Sequence, residues 1–369
     1  MKYARYCEDM GYEYQYVRGC VDIRYNPDVI LMSFTFTFYH RIYEKTIDYY
    51  LLKCPNAKII VGGVFPSIFP EWFDKEKWNG TATNTESFVN VHIGLDVKIN
   101  DLVPKYNVDI VSEDKLYDRN YLPMYSSRGC INNCAYCVVP KIEGKIKCFK
   151  SISKYLEKAK IEMPDAEYIS MYDNNFTAQW YIEDIVNELV EYGLPVDFNQ
   201  GLYAKLFVKN VHLFEKLKYK HLIRFAYDRE EDLEDIWKAY KTFTNSNVSA
   251  DFFLYMLWNF KDSPEDIWNR FMECKKMIDE YGGTIFIYPM KYEPFSPYIK
   301  KNEYTGEKWN PKLKLGFQNM VTRNRGFISL STTDYVYRYI GNSSDEFKSK
   351  CLDKGTYKKY KAPEGIMTV

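Results

Sequence analysis

The sequence is poor in histidine, carries no excess charge of either sign and has no long apolar run. His40, His92, His212 and His221 are the only histidines among 369 residues, and no two stand at the spacing of metal ligands. Each reads as a structural residue rather than part of a histidine metal centre. Lysine plus arginine and aspartate plus glutamate both number 50. No overall basic field exists to draw in nucleic acid, although the lysines between Lys348 and Lys361 leave a local patch open, so nucleic acid is not excluded as a partner. The longest apolar-rich stretch, Val29 to Tyr39, falls far short of the roughly 20 residues of a membrane helix. No charged segment followed by an apolar stretch and a cleavage site opens the chain. The expectation is a cytoplasmic protein with reduced thiols and no membrane partner. Internal repeats and low-complexity tracts are also missing.

What is present is enough apolar residue, 46%, to bury a large core, and 27% charged residue, close to the globular average. Aromatics reach 18%, chiefly through 35 tyrosines. They read first as core and half-buried strand positions, and second as a surface on which bases stack. The nine cysteines are an odd number; with reduced thiols, close cysteine spacing points to metal binding or chemistry rather than disulfides.

The element pattern predicts an α/β protein. Residues 1–105 alternate helix and strand: Lys2–Met10 as helix, Tyr14–Asp22 and Asp28–Tyr39 as strands, His40–Leu52 as helix and Lys58–Val61 as a strand before Gly62-Gly63. This is the pattern of a Rossmann-like parallel sheet covered by helices. Residues 106–123 read as a connection. Residues 124–299 hold strand candidates Met124–Arg128, Glu167–Tyr172, Val196–Asn199, Leu222–Tyr227, Ala250–Trp258 and Thr284–Pro289, separated by five helical stretches. Six such units are too few for a closed eight-unit barrel and predict a partial (β/α)6 barrel, with chemistry at the C-terminal strand ends. Residues 300–369 form a C-terminal extension of unclear pattern, expected to pack on the barrel and close its substrate side.

The sharpest signal is Cys130-Ile131-Asn132-Asn133-Cys134-Ala135-Tyr136-Cys137, a C-x3-C-x2-C loop directly after the first barrel strand. Thiolates are soft ligands suited to iron–sulfur clusters. Three of them on one cubane leave the fourth iron open, which favours catalysis over simple electron transfer. A competing reading is a structural zinc site completed by Cys148, in a binding protein without catalysis.

Ser127-Arg128-Gly129-Cys130 through Cys137 resembles the cluster loop of the radical SAM superfamily. The resemblance implies that Cys130, Cys134 and Cys137 are the catalytic cluster ligands of a [4Fe–4S] centre. It also implies that Tyr136 lies near the adenine of S-adenosylmethionine and that reductive cleavage yields a 5′-deoxyadenosyl radical. It implies in addition a reducing electron donor such as flavodoxin or ferredoxin, acting for a substrate that the sequence does not name. Asp173, Asn174 and Asn175, after the second barrel strand, occupy the place of the family's methionine-amine motif without its glycines. They read either as ligands of the amine or as a helix cap. Gln200 is placed to bind ribose or substrate. Arg224 is placed to pair with the cofactor carboxylate, or else to form an ion pair with Asp228 or Asp173. Residues 60–67, with Gly62-Gly63, resemble the cobalamin-binding domain of one subgroup. The Asp-x-His-x-x-Gly loop and the opening strand are missing and Glu86 is only a faint match, so a degenerate domain is the first reading and bound cobalamin the second. Cys134 through Pro140 followed by Gly144 also resembles the methylthiotransferases, which modify RNA or a ribosomal protein. That group carries three further cysteines in its N-terminal domain; Cys7, Cys20 and Cys54 lie there here, in no matching context.

Overall fold

A computed structural model of the chain describes residues 1–78, 89–112, 120–323, 328–330 and 340–353. They cluster into two compact units. One comprises Met1–Met124, Arg128–Glu167 and Pro294–Lys301; the other comprises Tyr125–Ser127, Tyr168–Glu293 and Asn302–Val369. Both are mixed α/β with parallel strand pairing.

The first unit contains α1 (Lys2–Asp9), β1 (Tyr16–Arg18), β2 (Val29–Ser33), α2 (His40–Lys53), β3 (Lys58–Gly62), α3 (Val64–Ile68), β4 (Val89–Val91), α4 (Val97–Asn100), β5 (Ile110–Ser112) and β6 (Tyr121–Met124). The two-residue strand β7 (Ser127–Arg128) falls where the chain passes between units, and α5 (Val139–Ile142), β8 (Lys147–Cys148) and α6 (Ser153–Glu162) come after it. Strands β2, β3 and β4 pair in parallel, with Leu31 opposite Ile60 and Ile60 opposite Asn90. β1 pairs with β5 in a separate parallel ribbon. Alternation along β3 turns Ile59 and Val61 into a core shared with Ile47 and Tyr50 of α2 and with Phe65, Trp72, Phe73 and Trp78. The second expected strand, Asp28–Tyr39, is shorter than its β-forming composition suggests. After Ser33 the Phe34 amide still donates to Gly62, but Tyr39 N–H then donates to Phe36 O at 3.1 Å, and Thr37–Tyr39 is a 3-10 turn leading into α2. Glu86 lies outside the described residues.

The second unit runs β9 (Tyr168–Met171), α7 (Ile182–Tyr192), β10 (Val196–Phe198), α8 (Ala204–Phe214), β11 (Leu222–Ala226), α9 (Leu233–Thr244), β12 (Asp251–Trp258), α10 (Pro264–Tyr281), β13 (Ile285–Lys291), α11 (Pro311–Arg323), β14 (Ile328–Leu330) and α12 (Ser344–Leu352). β9 pairs in parallel with β10, and β11, β12 and β13 are parallel neighbours. Parallel bridges Val196–Tyr219 and Leu202–Phe225 join the two sets. β12 is buried over nearly its whole length, as a central parallel strand must be when both faces are covered. Local signals set the helix ends. Ser263 and Asp266 form a reciprocal capping box with Pro264 at the first helical position of α10, and Gly193 closes α7 in the left-handed conformation.

Much of the aromatic content is core. Phe176, Phe198, Phe214, Phe207, Phe225 and Phe252 form a continuous chain of ring contacts at 4.6 to 5.8 Å. The C-terminal extension is built on the same principle: Phe317 of α11 and Phe347 of α12 pack on each other and on Phe271 of α10, while β14 adds an antiparallel edge to β13. Lys348 and Lys350 pair with Asp345 and Glu346 on α12, and the later lysines of that stretch lie outside the described residues.

Candidate active site

The cysteine loop runs from β7 to α5 within the first unit. The chain enters it through Gly129, at φ +79°, where an added Cβ would stand 2.5 Å from Lys145 O and 2.8 Å from Gly144 O. Only glycine allows both this conformation and this approach. Cys130 N–H donates to Gly144 O at 3.3 Å, and Cys137 N–H donates to Cys134 O at 3.0 Å. Glu143, just beyond α5, accepts from Gly129 N–H at 2.7 Å and pairs with Arg128 at 2.8 Å.

The three thiols are half-buried and none is in a disulfide. Burial pushes the Cys137 thiol up; the Val139 and Val138 amides pull it down, and charge on Cys134 and Cys130 pushes it up again. The three sulfurs therefore share one electrostatic neighbourhood. Asn132 N–H points at Cys130 Sγ at 3.4 Å. Among the described residues, no group of three His, Cys, Asp or Glu side chains is drawn together as a metal-ion site. Three thiols in one neighbourhood, with amides aimed at sulfur, are the kind of donor set that a [4Fe–4S] group takes.

The polar residues singled out at the barrel strand ends belong to the second unit. Asp173 is 2% exposed. Its carboxylate accepts from Ser126 N–H at 3.0 Å, Ser126 Oγ at 2.7 Å and Ser127 Oγ at 2.6 Å. Burial pushes its carboxyl up, against the pull of these hydrogen bonds. Gln179 Nε2 adds a bond to Ser126 O at 2.5 Å. Asp173 is thus an anchor for the segment that leads into the cysteine loop, and it does not cap the next turn. Asn175, at the cap position of Phe176–Ala178, makes no side-chain cap either; its Oδ1 accepts from Thr177 Oγ1 at 2.9 Å. Asn174 is half-buried. Gln200 is exposed and donates to Asn199 Oδ1 at 3.0 Å. Arg224 is buried, but its ion-pair partner is Asp197 on the neighbouring strand rather than Asp228 or Asp173. Asp228 instead accepts from Leu257 N–H at 2.9 Å. Tyr136 is half-buried in the cysteine loop. Ser126, Gln179 and Glu143 carry no sequence signal, because their importance comes from contacts across 14 to 53 positions of chain.

Two further cofactor expectations fall in the first unit. Gly63, at φ +98°, has Phe34 O 2.7 Å and Phe34 N 3.1 Å from the position of an added Cβ, while Gly62 has only an ordinary contact with His92. Gly63 makes room for the protein's own backbone, and Phe34 above it stacks on Tyr43 at 4.3 Å. The glycine pair does not fit a corrin-facing role. Of the three N-terminal cysteines, two are engaged by the fold itself. Cys54 is 3% exposed in the apolar core, its thiol pushed up by burial, and Cys20 Sγ bonds Thr46 Oγ1 at 3.8 Å.

Fold and loop together define a mixed α/β protein with parallel sheets and a three-thiol loop leading into a helix. No family model matches the chain. Over 111 residues it is 29% identical to the ribosomal protein uS12 methylthiotransferase RimO of Francisella philomiragia subsp. philomiragia, covering 28% of this chain and 24% of that protein. The chain thus matches about a quarter of the length of that curated relative. A solved structure, Streptococcus suis SuiB bound to precursor peptide SuiA, aligns with 60% of this chain and 50% of its own at 15% identity and a TM-score of 0.38. Among the described residues, no helix is long and apolar enough to cross a membrane.

Proposed function

We propose that the chain is a radical SAM enzyme that binds a [4Fe–4S] cluster through Cys130, Cys134 and Cys137 and cleaves S-adenosylmethionine reductively. The observation that carries this reading is the loop itself. Three thiols at C-x3-C-x2-C spacing share one half-buried neighbourhood behind a glycine that no other residue can replace. When bound, the cluster would supply one electron to the sulfonium, whose S–C5′ bond would break to methionine and a 5′-deoxyadenosyl radical able to abstract hydrogen from an unidentified substrate.

The chain's own residues do the positioning. Amides of Asn132, Val138 and Val139 face the Cys130 and Cys137 sulfurs, and at Cys137 they work against the upward push of burial. Tyr136 is proposed beside the adenine; Asn174, Asn175, Gln200 and Arg224 are the remaining proposed cofactor contacts. Asp173 holds Ser126 and Ser127 rather than the methionine amine. The parallel strands β9 to β13 are read as part of an open barrel, with a flavodoxin or ferredoxin as the electron source.

The test is to reconstitute the protein with iron and sulfide without oxygen, reduce it, and record the electron paramagnetic resonance spectrum with and without S-adenosylmethionine. A cubane signal that changes on adding the cofactor is expected. A signal indifferent to it, or stoichiometric zinc without any cluster, would sink the proposal.

A second reading, a methylthiotransferase acting on RNA or a ribosomal protein, is favoured by the similarity to RimO. About eight irons per chain would support it, and about four the single-cluster reading.

A further inference from the structure

We propose that Glu143 is the positioning residue that presets the cysteine loop for its cluster, by tying the loop's entry to its exit through one carboxylate. The proposal rests on the cluster reading above and adds a residue outside the three proposed thiol ligands. At the entry, Oε2 of Glu143 accepts from Gly129 N–H at 2.7 Å and Oε1 pairs with Arg128 at 2.8 Å. The two side chains of the ion pair are only 13% and 12% exposed, so water competes weakly for either. At the exit, Glu143 N–H donates to Val139 O at 2.8 Å, which fixes the carboxylate on the end of α5. The start of the same helix presents the Val138 and Val139 amides to Cys137. One side chain therefore couples the Cys130 end of the loop to the Cys137 end, and Cys130 N–H to Gly144 O adds a parallel tie.

The physical consequence is preorganisation. A loop with loose ends must be closed when the cluster arrives, and that ordering is subtracted from the affinity. A loop closed beforehand presents its thiols already gathered. Glu143 acts through Gly129 and the position of Cys130, in the way that outer-shell partners orient metal ligands.

The experiment compares Glu143→Ala, Glu143→Gln and Arg128→Met with the wild-type chain. Alanine removes both ties, glutamine keeps an acceptor for Gly129 N–H but loses the charge, and Arg128→Met removes the ion pair while leaving the Glu143 acceptor for Gly129 N–H in place. In the folded, cluster-free protein, alkylation rates are mapped for Cys130, Cys134 and Cys137 against Cys20 as an internal reference. Apparent cluster affinity at limiting iron is measured on the same preparations. We expect Glu143→Ala to weaken cluster affinity about 10-fold or more and to speed alkylation of the loop thiols relative to Cys20. Glu143→Gln and Arg128→Met should fall between alanine and wild type, a graded rescue that keeps the test decisive should the alanine variant fail to fold. Wild-type alkylation rates and affinity in all three variants would overturn the proposal. A wild-type chain that takes up no cluster, with loop thiols that still loosen in the variants, would sink the cluster reading and leave the tie standing.

Discussion

Gly129 and Gly63 invite comparison because both read from sequence as glycines beside a cofactor. Both have positive φ, +79° and +98°, and both press so closely on backbone oxygen, 2.5 and 2.7 Å from an added Cβ, that no side chain fits. The two turns differ in the residues that come next. Beyond Gly129 stand three half-buried thiols with amides turned toward sulfur. Beyond Gly63 stand Val64 and the fully buried Phe65, whose N–H donates to Phe34 O at 3.1 Å. A glycine at a strand end thus reports close approach by a chain, and only the donors around it decide whether a cofactor is also there. In one turn three half-buried thiols follow the glycine; in the other the space is filled by phenylalanine backbone and stacked rings.

The largest expected effect breaks the comparison on the thiol side. Cys134→Ala should take the iron content of reconstituted protein from about four per chain to nearly none. The melting temperature of the cluster-free protein should move by no more than a few degrees, because Cys134 lies in a half-buried loop outside the core. Retention of both cluster and cofactor cleavage would refute the ligand assignment.

On the packing side, Gly63→Ala forces a strained φ and a backbone clash, and should cost about 1–3 kcal/mol of stability in urea denaturation. Gly62→Ala, which meets only the His92 side chain and backbone oxygen at ordinary distances, should stay within about 1 kcal/mol of wild type. Neither change should alter iron bound per folded chain. A wild-type protein whose hydroxocobalamin spectrum shifts on mixing, and fails to shift in Gly63→Ala, would overturn the view that this turn is filled by its own chain.

How much of the fold and site is legible in the sequence depends on the range of the interaction. The cysteine loop can be read because its donors lie within eight consecutive residues, and α10 because Ser263, Pro264 and Asp266 at one end and Gly282 at the other are local signals. Strand β12 declares itself by a continuous apolar run. Asp173 stands out for the wrong reason: the sequence offers a carboxylate at a strand end, and only the fold reveals that Ser126 and Ser127, 47 and 46 positions earlier, consume it. Arg224 similarly suggests pairing with the acids at the strand ends, whereas its partner Asp197 lies on the next strand. The short helices and antiparallel strand of the extension escape because their stability comes from Phe317 and Phe347 packing on Phe271, a pattern too sparse for periodicity to detect.

The smallest effect asks whether the two glycine turns, both in the first unit, rise and fall together. That unit is also braced by Arg5, which bonds Glu8 and Glu162 at 2.5 Å each, and by Lys105 on Glu8. Lys105 holds the Glu8 carboxyl below its usual range. Burial pushes Glu162 up, but Arg5 and the Tyr106 amide bring it below its usual range as well. Depressed carboxyls contribute stability that is present above the unfolded value, about 4.3, and is lost as pH falls through their lower folded values. The cluster-free protein should therefore lose stability on acidification below about pH 4, with a shallower loss in Glu162→Gln, which no longer titrates there. If the unit is cooperative, hydrogen exchange in that variant should quicken equally at Gly129 N–H and at Phe65 N–H. Exchange that quickens at one and not the other would show that the thiol loop and the filled turn are separately stabilised.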